Sequence, residues 1–243
     1  MLRRRQDLGR RSRRAGFRGR AVLVTHAVCT LVVALAVAQG PDPAQQALAF
    51  SDAAQQNARA MMQYTWKMSV QVRVDGAAKP ERLYHMRYDN QGVLHKTPLS
   101  EPQDPKKRGV RGQVQKKKQE AAKEYATAIA ELVRKYSSPS TGTLVDFFQK
   151  ATVTPRPDGT IEIKGAGFLV NGDTVIYVID PRTNELRVFS FWTVMDGDKV
   201  RGETQFSRLS NGLSYAARTT IDFEAKKHIV AVAENFDHLR QGG

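Results

Sequence analysis

The chain has 243 residues, with 38 Lys or Arg against 24 Asp or Glu, and a formal net charge of +14. A charge of this size is common in proteins that bind nucleic acid or anionic membranes. Most of the excess lies in residues 1–38 and in a cluster over 106–118, and the rest of the chain is close to neutral. The charge is therefore no indication of a nucleic-acid-binding domain.

Residues 1–38 have the three parts of a secretory signal peptide. An arginine-rich segment ends at Arg20, an apolar run spans 21–38, and the small residues Ala36-Val37-Ala38 close it. We predict cleavage after Ala38, which leaves a single domain, 39–243, in the periplasm or outside the cell. A membrane tether formed by 21–38 is the alternative, and twin-arginine export remains open beside general secretion.

Cys29, the only cysteine, lies within the apolar run of the predicted signal peptide. The mature domain is therefore expected to contain no disulfide, no cysteine nucleophile and no thiolate metal site.

The mature chain begins with a helical pattern and continues with two alternating ones. Apolar residues three and four apart predict an amphipathic helix over 44–62. They are Ala47, Phe50, Ala54, Ala58 and Met61. Residues 63–74 and 82–88 alternate between apolar and polar side chains around the turn signal Asp75-Gly76, which predicts an antiparallel hairpin.

A short strand is predicted over 93–97, and the following residues, 98–118, are too polar and too rich in proline and glycine to pack. We predict an exposed basic loop there. Its basic residues are Lys106, Lys107, Arg108, Arg111, Lys116, Lys117 and Lys118.

Two helices and a meander of strands are predicted for the rest of the chain. Apolar periodicity predicts helices over 119–136 and 143–150. After Ala151, turn dipeptides separate about six strands, of which 175–179 is apolar on both faces and is expected to be central. This order predicts an α+β fold: a curved antiparallel sheet, or incomplete barrel, with two or three helices across its concave face.

Motifs for catalysis, metals and cofactors are weak. The histidines have no metal-ligand spacing, and Asp196-Gly197-Asp198 is more typical of a tight hairpin than of a catalytic carboxylate pair. We expect no catalytic residues, no metal and no cofactor. An enzyme that uses Asp196, Asp222 or Glu224 is retained as a rival hypothesis.

Two features carry possible function. The first is the apolar face of the predicted hairpin, which lines an adaptable apolar cavity or forms an ordinary core. Its residues are Trp66, Met68, Tyr84, Met86 and Tyr88. The second is the basic loop, which contacts anionic headgroups or an acidic partner, or is simply solvated. No aromatic residue lies between Pro98 and Ala122, so base stacking and nucleic acid are not supported.

The segment Val178-Ile179-Asp180-Pro181-Arg182-Thr183 is similar to a D-P-x-T turn before a strand in the LolA-like periplasmic lipoprotein carriers. The element order resembles the same superfamily, which includes outer-membrane lipoprotein-sorting proteins. The resemblance implies an incomplete β-barrel closed by helices, an apolar cavity for acyl chains, and no catalysis. Trp66, Met68, Tyr84 and Met86 would be wall residues. The basic insert over 98–118 departs from the family pattern.

The sequence thus leads to the hypothesis of an exported, non-catalytic carrier that holds a lipid, an acylated partner or another hydrophobic ligand between sheet and helices. The alternative is an envelope protein that docks an acidic or anionic-lipid surface through its basic loop. A transient contact with an anionic membrane is compatible with both, and a monomer is expected.

Overall fold

A computed structural model describes residues 42–99 and 127–241 of the chain. The chain divides into two units, Met1–Gln39 and Gly40–Gly243, and every described residue belongs to the second. The predicted signal peptide and residues 100–118 of the predicted basic loop lie outside the described residues. Within the described ranges, no helix is both long enough and apolar enough to cross a membrane.

Three helices lie in the described part of the chain. They are α1 (Pro43–Met61), α2 (described over 127–137) and α3 (Thr141–Lys150). The Asp42 side chain accepts a hydrogen bond from the backbone N–H of Ala44 at 3.0 Å, and Pro43 follows this cap as the first helical residue. The Ser140 hydroxyl caps α3 in the same way, by accepting from the N–H of Thr143 at 3.1 Å. These polar caps fix where the helices begin.

Eleven strands form one antiparallel sheet. They are β1 (Tyr64–Val74), β2 (Ala77–Ala78), β3 (Arg82–Tyr88), β4 (Leu94–Pro98), β5 (Thr152–Pro155), β6 (Ile161–Ala166), β7 (Thr174–Asp180), β8 (Glu185–Met195), β9 (Asp198–Arg208), β10 (Ser214–Glu224) and β11 (His228–Arg240). The spatial order is β4-β3-β1-β11-β10-β9-β8-β7-β6-β5, and β2 pairs only with β1. Because β4 and β5 are the two ends of this order, the sheet is an open, incomplete barrel.

The observed architecture confirms the predicted α+β class and the predicted hairpin of β1 with β3. Seven strands follow Ala151 rather than about six, since the four residues of β5 form a strand of their own before the turn at 157–159. Asp196 and Gly197 form the tight turn between β8 and β9, with φ angles of 54° and 87°. The apolar strand β7 is buried, but it lies third from the β5 edge rather than in the middle of the sheet.

The buried side of α1 differs in part from the predicted stripe. Three of the five predicted residues are buried, but Ala54 and Ala58 are exposed. The Asn57 side chain donates to the carbonyl of Ser214 at 2.7 Å and accepts from its N–H at 2.8 Å. These two bonds turn position 57 toward the sheet and position 58 toward solvent.

The register defines an inner face of the sheet, the face against which the helices pack. A continuous row of directly opposed residues crosses this face from β1 to β6. It consists of Val70, Ala233, Thr219, Thr204, Phe189, Tyr177 and Ile163. Since opposed residues in an antiparallel sheet point to the same side, the face of β1 that carries Val70 is continuous with the helix-covered face of β7.

The core lies on the part of the inner face beneath the helices, along β6, β7 and β8, and extends to Val200 of β9 and Phe223 of β10. It is aromatic: Phe50 of α1, Phe147 and Phe148 of α3, and Tyr177 and Phe189 of the sheet are all at most 6% exposed. The ring centroids of Phe50 and Tyr177 are 5.7 Å apart, and those of Tyr177 and Phe189 are 5.1 Å apart. The space between sheet and helices is therefore occupied by side chains along β6, β7 and β8.

A buried carboxylate attaches α2 to this core. Asp173 is 1% exposed and accepts from the Tyr136 hydroxyl at 2.8 Å. It also accepts from the backbone N–H groups of Phe168, Leu169 and Val170 at 2.7 to 3.0 Å. Although burial opposes ionisation, these four donors together hold the pKa of Asp173 below its ordinary value. Asp173 therefore fixes both the β6–β7 connection and the end of α2.

Candidate functional site

The five apolar residues singled out in the sequence lie together on the inner face. Trp66 is opposite Met86, and Met68 is opposite Tyr84, while Tyr88 follows Met86 on the same side of β3. Trp66 and Met86 are buried, with 9% and 4% exposure, whereas the other three are half-buried. The group therefore has a buried part, Trp66 and Met86, and a more accessible part.

Trp66 is held by a polar contact from β11. Its indole Nε1–H donates to Oδ1 of Asn235 at 2.9 Å, and Nδ2 of Asn235 donates to the carbonyl of Ala216 at 2.7 Å. This relay links β1, β11 and β10 and satisfies the indole N–H of Trp66.

Two residues that the sequence did not single out complete an aromatic cluster with Trp66. The ring of His238 lies 5.9 Å from that of Trp66 at an interplanar angle of 15°, and 4.1 Å from that of Tyr215. Burial lowers the pKa of His238, which favours the neutral ring at this position. The positive φ of Asp237, 53°, and the shift in register between β1 and β11 place His238 on the inner face. In the sequence, the only local sign of this shift in register is Asp237, a residue type that is uncommon inside a strand.

Short side chains lie on the inner face between this hairpin and the aromatic core. We call this region the trough; its floor is formed by Thr204, Thr219, Ala231 and Ala233, all of them half-buried. Val70 and Val72, which are opposite Ala233 and Ala231, rise on one side. The buried aromatic rings of β8 rise on the other. In the row from Val70 to Phe189 the intervening residues Ala233, Thr219 and Thr204 are small, so the inner face is lower there than on either side; Ile221 limits the trough in the next row.

Gly202 allows the core to extend to the border of the trough. It is opposite Phe191 on β8 and Ile221 on β10, and a Cβ atom at position 202 would collide with the Phe191 ring. The ring therefore lies directly over the glycine. The sequence pattern did not indicate this contact, because a glycine within an alternating strand carries no apolar signal.

Two further cavities lie elsewhere. One, of about 230 Å³, lies between α3 and the end of β6 and is lined by Asp146, Lys150 and Phe168 among others. The other, of about 240 Å³, lies on the opposite, outer face of the sheet and is lined mainly by polar residues such as Gln71 and Arg218. Both are smaller than the roughly 300 to 1,000 Å³ that is typical of ligand pockets.

The carboxylates considered for catalysis each lie in a turn or bond to a neighbouring side chain. Asp196 lies in the β8–β9 turn, Asp222 bonds to His228 at 2.7 Å, and Glu224 pairs with Lys199 at 3.3 Å. Over 42–99 and 127–241, no group of three His, Asp or Glu side chains is placed to hold a metal ion.

Asp180, the first residue of the D-P-x-T segment, stabilises the turn that follows β7. Its carboxylate accepts from the backbone N–H of Arg182 at 3.0 Å, and it pairs with the Arg182 and Arg187 guanidinium groups at 3.3 Å. The bonds from Arg182, aided by Arg187, lower the pKa of Asp180 to about 2. The segment thus closes the turn between β7 and β8.

The basic residues over 106–118 lie outside the described residues, so their contact with an anionic surface stays a prediction.

No family model and no curated protein matches the chain. Among solved structures, it is similar to a LolA superfamily protein from Nitrosomonas europaea, with 11% identity, a TM-score of 0.32, and coverage of 78% of this chain and 94% of that one. An outer membrane lipoprotein-sorting protein domain from Vibrio parahaemolyticus gives 9% identity, a TM-score of 0.38, and coverage of 81% and 94%. A DUF1329 family protein from Desulfovibrio piger gives 7% identity and a TM-score of 0.37, with coverage of 83% of this chain and 95% of that one.

The LolA-like resemblance drawn from the sequence is thus also found among solved structures.

Proposed function

We propose that this chain is an exported, non-catalytic carrier that binds a hydrophobic ligand, such as an acyl chain, in the trough. The observation that supports the proposal is the contrast between the two halves of one inner face. The half beneath the helices is packed with aromatic rings. On β1, β11 and β10 the trough residues Val70, Ala231, Ala233 and Thr219 are short or half-buried, and the buried apolar side chains of these strands, Trp66 and Phe223, lie at opposite ends of them.

Apolar surface that the fold leaves partly uncovered favours a ligand of the same character. Burial of apolar surface contributes about 25 cal/mol per Å², and contiguous apolar surface on a soluble protein commonly marks a binding site. Val70, Val72 and Ala231 are half-buried and are outside the buried core cluster. An acyl chain laid along the trough would cover them.

The same contrast supports a ligand position beside the helices rather than beneath them. The region under α1 and α3 is occupied by Phe50, Phe147, Phe148 and Tyr177. A ligand there would have to displace well-packed rings, whereas the trough requires no such rearrangement. Met68 and Tyr84 then form the wall on the β1–β3 side, and the buried Trp66 and Met86 lie next to them on the same face.

Filling the trough tests this proposal. We expect Ala233→Phe to weaken binding of a fluorescent fatty-acid probe at least about tenfold, because the added ring occupies the floor where the chain lies. The matched control is Val232→Phe, which adds a ring one residue away on the outer face, beside the cavity there. Circular dichroism and the melting temperature report whether both variants fold. Equal probe binding by the native protein and a folded Ala233→Phe variant would contradict the proposal.

A further inference from the structure

Two cations border the trough on its β3–β4 side. Arg82 is opposite Val70, and Lys96 is opposite Met86. Since opposed residues share a face, both side chains belong to the inner face, together with Tyr84. Both are exposed at the rim rather than buried in the floor.

Neither cation has an acidic partner within 42–99 and 127–241. The Lys96 ammonium lies 3.8 Å from the centroid of the Tyr84 ring, which is a cation–π contact. Two acids near them in the described part of the chain have other surroundings: Glu81 lines the outer-face cavity, and Asp89 bonds to His95 at 2.7 Å.

Arg82 precedes Tyr84 by two residues on the same face of β3, and the Lys96 ammonium lies over the Tyr84 ring, so the two positive charges are neighbours. Partial burial lowers the pKa of Lys96, and the charge of Arg82 lowers it further. Like charges near each other on an apolar surface repel, and an anion between them would remove that repulsion.

We propose that Arg82 and Lys96 form a headgroup site, which makes the ligand of the trough an anionic amphiphile with a carboxylate or phosphate head. This inference rests on the proposed function, since the trough must first bind the chain. The guanidinium of Arg82 offers paired donors to a carboxylate or phosphate, and Lys96 adds a point charge. A neutral alcohol or ester head would leave both charges uncompensated.

The dimensions agree with such a ligand. From β3, which carries Arg82, to β9, which carries Thr204, the path crosses four strand-to-strand steps. At about 4.8 Å per step this is roughly 19 Å, the length of a long acyl chain in extended form. The head would lie at the open edge, and the chain would run across the floor toward the aromatic core.

A comparison of matched ligands tests the headgroup site. Dodecanoate, dodecyl phosphate and dodecanol share one chain and differ in the head, and inorganic phosphate alone has no chain. We expect the native protein to bind the two anionic ligands roughly three- to tenfold more tightly than dodecanol. Inorganic phosphate is expected not to compete, and the stronger of the two anions identifies the head.

Variants of the two cations separate this inference from the proposed function. The double variant Arg82→Gln/Lys96→Gln is expected to lose the preference for anions and to keep the affinity for dodecanol. The matched control, Arg87→Gln, changes a cation on the outer face of β3 and is expected to keep the preference. The native protein can also be tested without substitutions, because salt screens interactions between charges. We expect 0.5 M NaCl to weaken binding of dodecanoate and to leave binding of dodecanol unchanged.

The outcomes are distinct. Equal binding of dodecanoate and dodecanol by the native protein would overturn the headgroup site and leave the carrier proposal standing. Binding of none of the three amphiphiles would overturn both. A folded double variant with an undiminished preference for anions would also overturn the headgroup site.

Discussion

The contact between Gly202 and Phe191 predicts that one methyl group at the border of the trough destabilises the fold. The Phe191 ring occupies the space in which a Cβ atom at position 202 would lie, and this ring is 1% exposed and has little freedom to move. We expect Gly202→Ala to lower the free energy of unfolding by about 1 to 3 kcal/mol, the usual cost of overpacking. Chemical denaturation measures this.

Gly142 supplies the control for that substitution. It lies in α3, and the nearest atom to an added Cβ is the Ser140 hydroxyl oxygen at 3.9 Å. Gly142→Ala should be neutral or stabilising by up to about 1 kcal/mol, because alanine favours helix. If both variants shift the denaturation midpoint equally, the close packing of Phe191 on Gly202 is not the cause.

Among individual site residues, strand alternation was sufficient to place Trp66, Met68, Tyr84 and Met86 on one face, because their large side chains give a clear signal. Their partners were not predictable in the same way. Ala231 and Ala233 are small, and only the long-range pairing of β1 with β11 brings them beside Val72 and Val70. The floor of the trough depends on that pairing rather than on any local pattern.

At the scale of elements, the β7–β8 turn predicts a specific loss of stability in acid. The pKa of Asp180 is lowered from its ordinary value of 3.8 to about 2 in the folded chain. Its contribution is therefore fully present above about pH 4 and is lost as the pH falls toward 2. We expect Asp180→Asn to be less stable than the native protein at pH 6 and to lose less stability between pH 4 and 2. Thermal unfolding across this range measures both.

Asp52 provides the comparison for this pH profile, since it is an exposed α1 residue with no ion pair in the described part of the chain. Asp52→Asn is expected to keep the native acid profile. A native-like acid profile in Asp180→Asn would mean that the arginine contacts of this turn do not contribute to stability.

Most elements followed from their periodicity, and the exceptions have physical causes. The hairpin of β1 and β3 and the helix α3, with buried Leu144, Phe147 and Phe148, agree with the apolar pattern. On α1 the pattern was wrong where it relied on alanines, because Asn57 bonds to Ser214 and sets the rotation of the helix. Alanine is too small to determine which side of a helix is buried.

At the scale of the whole molecule, the open sheet has two edge strands, and each ends in proline: Pro98 in β4 and Pro155 in β5. The N–H of Arg156 bonds inward to the carbonyl of Thr160, so the alternation of an antiparallel ladder directs the nitrogen of Pro155 outward. Proline therefore removes an outward donor from the β5 edge, which discourages pairing with a second chain.

We expect Pro155→Thr to increase self-association, because it restores that donor at the edge. Size-exclusion chromatography with light scattering over a range of concentrations measures the effect. Pro157→Thr, in the adjacent turn, is the control and should behave as the native protein. Concentration-independent mass for Pro155→Thr would show that other features of β5 protect the edge.

The absence of pairing between β4 and β5 in the described part of the chain affects how the sheet can deform. Within the described residues, no backbone hydrogen bond joins these two strands, so the barrel resembles a split ring rather than a hoop. A closed barrel fixes its bore through its strand number and stagger. A split ring can spread at the gap without breaking any ladder bond. Hydrophobic ligands of different width would then be accommodated by flexing of the sheet. Selectivity among them would depend on the charges of Arg82 and Lys96 at its edge.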